Sequence, residues 1–202
     1  MKIICVGRNY ADHAKELGND LPTKPLLFMK PSTALLIDGK PFYHPDFSQD
    51  IHYECELVLK IKKNGKHINE QFASDYYDEI GLGIDFTARD LQEECKAARS
   101  PWEVAKAFDN SAVIGRFISI SEVNLNNIQF DLYKNDERVQ HGESKDLIFG
   151  FDVLISYISK FFTLQQGDYI FTGTPAGVGR VQIGDRLSGG IGDQQLLSCE
   201  VK

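Results

Sequence analysis

Proline and glycine interrupt this chain near both ends and leave little room there for long helices. Proline lacks a backbone N–H and fixes φ, so the segment up to about residue 47 is expected to hold only loops and short strands. Five prolines fall in that segment: Pro22, Pro25, Pro31, Pro41 and Pro45. Glycine recurs from Gly167 to Gly192, a pattern typical of short strands joined by tight turns. The chain is therefore predicted to be an α+β protein that is mainly β.

Helical periodicity is confined to a few segments. A short helix is predicted over 10–18, because Ala11, Ala14 and Leu17 recur at spacings of three before Gly18. A second helix is predicted from a Thr87 cap to about residue 99, and a third, amphipathic one over 147–163. Strands are expected at 2–6, 52–62, 113–120, 128–134 and 137–140, and residues 76–85 carry an apolar stretch that ends at Asp85.

Composition and charge exclude several classes of protein. The 202 residues are 42% hydrophobic and 25% charged, and the formal net charge is −7. These proportions suit a folded domain, and the acidic balance argues against a general binder of nucleic acid or anionic membranes. No stretch reaches about 18 uncharged apolar residues, the length that a membrane-spanning helix needs. The apolar run at 3–6 is too short for a signal-peptide core.

The four cysteines do not form a metal-binding or redox motif. Cys5, Cys55, Cys95 and Cys199 include no CxxC pair. They are expected to be reduced and mostly buried thiols of a cytoplasmic protein.

Three carboxylates form the first candidate site. Glu54 and Glu56 are two residues apart on a predicted strand and therefore project from one face. Asp85 ends a glycine-containing apolar segment just before a predicted helix. Three carboxylates without a His or Cys as a partner ligand suit a hard divalent ion such as Mg²⁺ or Mn²⁺. The alternative is that the two glutamates lie on a solvated face of the strand.

His13 and Glu16 form the second candidate site. Their i,i+3 spacing places both side chains on one face of the predicted helix. A carboxylate beside an imidazole raises its basicity and orients it, as a general base for water requires. The alternative is a surface histidine near a helix end.

A lysine and a glycine-rich loop complete the candidates. Lys106 lies between two alanines, near Trp102 and Phe108, and is predicted to be partly buried unless its side chain reaches solvent. The loop over 172–179 is not a nucleotide-binding P-loop, because no Gly-Lys-Ser/Thr follows it. Its backbone N–H groups and the Thr174 hydroxyl suit a carboxylate or enolate oxygen.

Taken together, five segments resemble the fumarylacetoacetate hydrolase superfamily, in its acylpyruvase and oxaloacetate decarboxylase branch. The resemblance runs from about residue 3 to the C-terminus. Its segments are Val6-Gly7-Arg8-Asn9-Tyr10-Ala11-Asp12-His13, Lys30-Pro31-Ser32, Glu54-Cys55-Glu56-Leu57, Asp85-Phe86-Thr87-Ala88-Arg89-Asp90 and Thr172-Gly173-Thr174-Pro175-Ala176-Gly177-Val178-Gly179.

The resemblance implies a mixed β-sandwich roll, a homodimer, and one catalytic domain over 1–202 in which residues 1–47 form a small subregion carrying a lid. It assigns Mg²⁺ or Mn²⁺ to Glu54, Glu56 and Asp85. It places Lys106 beside the metal and makes His13 and Glu16 a catalytic dyad on the lid. The positions implied to contact the 2-oxo acid end of the substrate are Arg8, Arg89, Gln92 and Thr174.

The activity that the resemblance implies is metal-dependent hydrolysis of a C–C bond in 3-acylpyruvates, or decarboxylation of oxaloacetate, through a metal-held pyruvate enolate. An isomerase of an unsaturated 2-hydroxy-dioate is an alternative within the superfamily. A non-catalytic protein that binds a metal ion and a keto acid is an alternative of another class. One departure concerns specificity, since Ser144 and Leu147 stand where many members carry a Gln and a Thr-x-x-Met pattern.

Overall fold

The computed structural model describes residues 1–16, 18, 20–37 and 39–202. Within these residues the chain forms strands in three sheets and four α-helices. The strands are β1 Ile3–Gly7, β2 Leu26–Lys30, β3 Leu35–Ile37, β4 Ile51–Tyr53, β5 Cys55–Ile61, β6 Tyr77–Asp85, β7 Thr87–Ala88, β8 Ala112–Ser119, β9 Gln129–Lys134, β10 Glu137–Glu143, β11 Tyr169–Phe171, β12 Gly179–Arg180, β13 Arg186–Ile191 and β14 Gln194–Glu200. The helices are α1 Ala11–Glu16, α2 Arg89–Ala98, α3 Glu103–Lys106 and α4 Phe151–Phe161.

The largest sheet is mixed and brings distant parts of the chain together. Its strand order is β2-β1-β11-β5-β6-β8-β3, and the pairs β1/β11 and β3/β8 are parallel while the other pairs are antiparallel. A second sheet has the order β10-β9-β13-β14, and a short third sheet the order β12-β4-β7. The predicted α+β, mainly β fold is confirmed.

The main core lies between the two larger sheets. Apolar side chains of β5 and β6 join those of β9, β13 and β14 in one buried cluster, which also takes the inner face of α4. A smaller apolar cluster covers the opposite face of the large sheet and contains Val58 and Phe171. Strand β5 is therefore buried on both faces, as expected of a central strand. The alternating pattern over 52–62 predicted the strand, but it does not mark a wet face.

Two predicted helix boundaries are wrong, for local reasons. Thr87 does not cap α2, because Thr87 and Ala88 pair with β4 as a strand and the helix begins at Arg89. The helix predicted over 147–163 begins only at Phe151, because residues 144–146 form a 3-10 turn and Gly150 is extended. The helix predicted over 10–18 covers Ala11–Glu16, and its Leu17 lies outside the described residues.

The cysteine prediction agrees with the structure. All four cysteines are buried and free of disulfide bonds. No helix among the described residues is long and apolar enough to cross a membrane.

Candidate active site

Glu54, Glu56 and Asp85 converge at the end of the β5/β6 pair. Glu54 precedes β5, Glu56 lies within it, and Asp85 is the last residue of the antiparallel neighbour β6. The Asp85 N–H donates to the Glu54 carbonyl at 2.8 Å, which fixes the two chain segments side by side. One carboxylate oxygen from each residue lies within 4.8 Å of the others, and all three residues are buried. The alternative of a solvated face for the two glutamates is therefore wrong.

Lys106 and Lys30 neutralise part of this carboxylate cluster. The Lys106 ammonium donates to Glu54 Oε2 at 2.7 Å, Asp85 Oδ2 at 2.8 Å and Thr87 Oγ1 at 2.6 Å. The Lys30 ammonium lies 2.7 Å from Asp85 Oδ1. Both lysines are buried, so neither reaches solvent. The opposing carboxylates outweigh the effect of burial and raise the pKa of Lys106.

Arg89 supplies the third cation. Its Nη2 donates to Glu54 Oε1 at 2.6 Å, and its Nη1 donates to Gln92 Oε1 one turn later on α2, also at 2.6 Å. Burial alone would raise the pKa of Glu54, but Lys106 and Arg89 together hold that pKa well below its usual value. Glu54 is therefore ionised at neutral pH.

Glu56 differs from the other two carboxylates in its hydrogen-bond and ion-pair partners. Among the described residues the Gly173 N–H donates to Glu56 Oε2 at 2.6 Å, and no lysine or arginine forms an ion pair with Glu56. Burial, together with repulsion by Asp85 and Glu54, raises its pKa well above the ordinary value. Gly173 makes this contact possible, because its φ is +107° and a Cβ there would lie 2.7 Å from Asn9 Cβ.

This donor set fits a hard divalent cation. Three carboxylates within reach of one point are the ligands that Mg²⁺ and Mn²⁺ prefer. Asp85 already has ion pairs with Lys30 and Lys106, whereas Glu56 has no ion pair with a cation among the described residues. A divalent ion would supply the missing positive charge to Glu56. The cluster can therefore hold a divalent metal ion.

Helix α1, here called the lid helix, closes one side of this site. His13 on that helix is buried, and its Nδ1 lies 3.3 Å from Glu16 Oε2. The Gly177 N–H donates to Glu16 Oε1 at 3.1 Å and so ties the lid helix to the glycine-rich loop. Burial lowers the pKa of His13, although Glu54 and Glu16 partly oppose this. The imidazole is thus neutral at pH 7 and can accept a proton, and the alternative of a surface histidine is wrong.

One cleft of about 420 Å³, part of it open to solvent, gathers nearly all the predicted site residues. Nine of the ten line it, and the tenth, Glu16, contacts His13 from behind. Those nine are Arg8, His13, Glu54, Glu56, Asp85, Arg89, Gln92, Lys106 and Thr174. Arg8 has a φ of 59°, a left-handed backbone that non-glycine residues rarely adopt and that often occurs at functional sites.

The sequence did not single out several buried polar residues of this region. Lys30 donates to Ser111 Oγ at 2.9 Å and to the Lys106 carbonyl, so it supports the loop that carries Lys106. The Asn9 amide donates to the carbonyls of Thr172 at 2.8 Å and Phe149 at 3.0 Å. Lys30 and Asn9 belong to the segments that carry the family resemblance, which was the available signal.

Ser144 and Leu147 lie outside the cleft. The Ser144 hydroxyl accepts from the Ile128 N–H and donates to the Leu125 carbonyl, at 2.8 and 2.9 Å. Leu147 forms an isolated bridge with Tyr10 at the base of the lid helix. Both side chains line a separate surface groove beside Phe151. This departure from the family pattern therefore does not change the lining of the carboxylate cleft.

A mixed fold with a buried carboxylate cluster and an adjoining histidine is typical of metal-binding enzymes. Comparison of this chain with known proteins identifies the family. The model of the family described as "Fumarylacetoacetate (FAA) hydrolase C-terminal" matches residues 2–201. This chain belongs to that family.

Relatives across this family cover nearly the whole chain. The mitochondrial oxaloacetate tautomerase of Bos taurus is 42% identical over 201 residues, which are 99% of this chain and 90% of the relative. The mitochondrial oxaloacetate decarboxylase of Dictyostelium discoideum is 43% identical over 192 residues, 94% of this chain and 88% of the relative. The solved fumarylpyruvate hydrolase from Pseudomonas aeruginosa, in complex with Mn²⁺ and pyruvate, superposes with a TM-score of 0.93 and 38% identity, covering 100% of this chain and 89% of that chain.

Proposed function

We propose that this chain is a metal-dependent enzyme that hydrolyses 3-acylpyruvates and decarboxylates oxaloacetate. The observation that carries the proposal is the single cleft in which three carboxylates, two arginines, a lysine and a neutral histidine meet. Relatives named for oxaloacetate chemistry and a structural neighbour named for fumarylpyruvate hydrolysis support the same class of substrate. Both reactions break a bond at C3 of a 2-oxo acid and leave a pyruvate enolate.

Glu54, Glu56 and Asp85 are the proposed ligands of Mg²⁺ or Mn²⁺. When bound, the ion supplies Lewis acidity that polarises the 2-oxo group of the substrate. The Mn²⁺ in the neighbour's structure favours this assignment and is compatible with Mg²⁺, which takes the same oxygen ligands.

Arg8, Arg89, Gln92 and Thr174 are proposed to bind the 2-oxo acid end of the substrate. Arg89 is held in place by Glu54 and Gln92 before any ligand arrives, so little side-chain entropy is lost on binding. Two guanidinium groups favour an anionic carboxylate. The Thr174 hydroxyl, which lines the same cleft, adds a neutral donor.

His13 is the proposed general base of hydrolysis. Its neutral imidazole takes a proton from a water molecule while that water attacks the distal carbonyl carbon, and Glu16 orients the ring. The C–C bond then breaks, and its electron pair becomes the pyruvate enolate. The positive charge of Lys106 and N–H groups of the 172–179 loop stabilise the developing negative charge. Protonation of the enolate gives pyruvate beside the released carboxylic acid.

Decarboxylation needs fewer of these groups. Loss of CO₂ from oxaloacetate forms the enolate directly, without an attacking water. The charges of Lys106 and the two arginines retain their roles, whereas His13 is not needed to activate water. The two reactions therefore share the carboxylate cluster and differ in their use of the lid helix.

The remaining expectations belong to the same proposal. We propose one catalytic domain over 1–202 that acts as a cytoplasmic homodimer on a small keto acid. The buried thiols Cys5, Cys55 and Cys95 are compatible with a reducing compartment. Sedimentation of the purified protein tests the dimer.

A substrate panel tests the activity. Acetylpyruvate, fumarylpyruvate, oxaloacetate and an unsaturated 2-hydroxy-dioate are each assayed with Mn²⁺, with Mg²⁺ and with excess chelator, using Glu56→Ala protein to subtract decarboxylation by free metal. Turnover of an acylpyruvate or oxaloacetate that the chelator abolishes is expected. Turnover only of an unsaturated 2-hydroxy-dioate, or of no substrate, would refute the proposal in favour of the isomerase or the non-catalytic binding protein.

A further inference from the structure

Gln140 is a buried amide that links both sides of the cleft from behind. Its Oε1 accepts from the Cys55 N–H at 2.9 Å, between the carboxylate residues Glu54 and Glu56. Its Nε2 donates to Thr174 Oγ1 at 2.9 Å and to the Pro175 carbonyl at 3.0 Å. These partners lie 34 to 85 residues away in the sequence. One side chain thus connects the strand that carries the glutamates with the loop that carries Thr174.

A β-bulge in β10 turns Gln140 toward the interior. Arg138 pairs with Tyr133 and Gln140 pairs with Leu132, which leaves Val139 as an extra residue. Residues opposite each other in an antiparallel pair share a face, and Leu132 is fully buried. Without the bulge, Val139 would occupy the inward position and Gln140 would point outward.

The glycine-rich loop is shaped to pack against this bulge. Gly177 has a φ of +95°, and a Cβ there would lie 2.4 Å from the Val139 carbonyl oxygen. The loop and the bulge therefore approach too closely for any other residue at this position. This close packing holds the Gln140 amide against Thr174 and Pro175.

The hydrogen bonds of Gln140 also determine the direction of the Thr174 hydroxyl. The Cys55 N–H can only donate and the Pro175 carbonyl can only accept, so the amide oxygen must face Cys55 and the amide nitrogen must face the loop. Thr174 Oγ1 is then an acceptor toward Gln140. Among the described residues the Thr174 hydroxyl donates to no protein group, and its proton remains for a ligand in the cleft that it lines.

We propose that Gln140 is a positioning residue that makes Thr174 a hydrogen-bond donor to an anionic oxygen of the bound 2-oxo acid. This inference rests on the proposed function for its ligand class. Gln140 itself does not line the cleft, and it acts through Thr174. The arrangement parallels metal sites in which an outer hydrogen bond fixes the orientation of a ligating group.

A double-mutant cycle tests the proposal without requiring turnover. Pyruvate binding is measured by calorimetry at saturating Mn²⁺ for the wild type, Gln140→Glu, Thr174→Val and the double variant. Gln140→Glu retains the size of the side chain and an acceptor for Cys55 but loses donors toward the loop. Loss of a hydrogen bond to a charged group is expected to weaken pyruvate binding roughly tenfold or more in each single variant. The double variant is expected to match Thr174→Val to within about twofold, because the two residues act as one unit.

Ser144→Ala is the matched control, since Ser144 also forms two buried hydrogen bonds beside β9 and β10 but lies outside the cleft. Its pyruvate affinity should remain within about twofold of the wild type. Gln140→Met replaces Gln140→Glu in the cycle if thermal melting shows that the first variant is unfolded. Multiplicative losses in the double variant, unchanged binding in the Gln140 variant, or no pyruvate binding by the wild type would each overturn the inference. Absence of turnover together with a non-additive cycle would refute only the proposed function.

Discussion

The carboxylate cluster and the lid helix both line one cleft, yet they are held in different ways. The cluster lies on central strands of the large sheet and is fixed by three buried cations, Lys30, Lys106 and Arg89. The lid helix has six residues, too few to be stable alone. The Glu16 carboxylate on this helix accepts a hydrogen bond from the Gly177 N–H. The structure thus separates the proposed site for a metal ion and a keto acid, which lies on central strands, from the proposed general base His13, which a short helix carries.

The largest expected effect tests the carboxylate cluster itself. Glu56→Ala should abolish binding of Mg²⁺ and Mn²⁺ in a calorimetric titration and eliminate both reactions. Glu56 is the proposed ligand whose charge no lysine or arginine neutralises among the described residues, so its removal takes away charge that the ion would balance. Glu56→Gln, which retains an acceptor for the Gly173 N–H, should lose the ion while remaining folded. Tight divalent binding by either variant would remove the metal assignment.

The next effect should separate the two sides of the cleft. His13→Ala should reduce acylpyruvate hydrolysis by roughly 100-fold or more, the usual scale for a lost general base. Oxaloacetate decarboxylation and Mn²⁺ affinity should change far less, because neither needs an activated water. Steady-state rates on acetylpyruvate and oxaloacetate check this difference.

Lys15→Ala serves as the control on the same helix, since Lys15 is exposed and its one ion pair within the described part of the chain is an exposed pair with Asp12 at 3.3 Å. It should leave both rates close to those of the wild type. Equal loss of hydrolysis and decarboxylation in His13→Ala would show that the lid helix contributes to substrate binding and not only to the activation of water.

Local sequence rules predicted the carboxylate cluster better than its supports. Period-two spacing predicts that Glu54 and Glu56 project to the same side of the chain, and the apolar run through Ile84 is followed by Asp85, which ends β6. Both signals come from residues close together in the sequence. They agree with the structure because β5 and β6 pair directly. The three carboxylates converge because of that antiparallel register. The family resemblance implied this convergence, but the spacing of the residues alone did not specify it.

The residues that support the carboxylate cluster make contacts with distant parts of the chain, which local sequence patterns do not predict. Lys30 binds groups 56 to 81 residues away, and Gln140 reaches its inward position only through a bulge. Threonine is a residue type that often caps helices. The Thr87 hydroxyl instead accepts a hydrogen bond from the Lys106 ammonium. Buried lysines and amides of this kind resemble surface residues in a sequence. They become recognisable once the strands that surround them are placed.

A smaller effect concerns the pH dependence of the lid helix. Burial lowers the pKa of His13, and Glu16 partly raises it again. Glu16→Gln should therefore lower that pKa further. Because hydrolysis needs the neutral imidazole, the acidic limb of kcat/KM for acetylpyruvate should lie below the ordinary histidine value of about 6.5 in the wild type and at still lower pH in the variant.

The rate of Glu16→Gln above the limb should fall only several-fold, since the new amide oxygen can still accept from the Gly177 N–H and orient the ring. The profiles are measured at saturating Mn²⁺, with the residual activity of His13→Ala as the control that lacks the histidine limb. A limb that stays in place or moves to higher pH would show that another group controls it.

The smallest effect is expected where the chain departs from the family pattern. Restoring that pattern with Ser144→Thr and Leu147→Met should leave KM for acetylpyruvate and oxaloacetate within about twofold of the wild type, as for substitutions away from a site. Ser144 bonds Leu125 and Ile128 outside the cleft, and Leu147 contacts the base of the lid helix and not its catalytic face. A change in the ratio of the two kcat/KM values of tenfold would show instead that this groove reaches the substrate through the lid helix. In that case the lid would influence which keto acid is bound as well as how water is activated, and the separation between the two sides of the cleft would no longer hold.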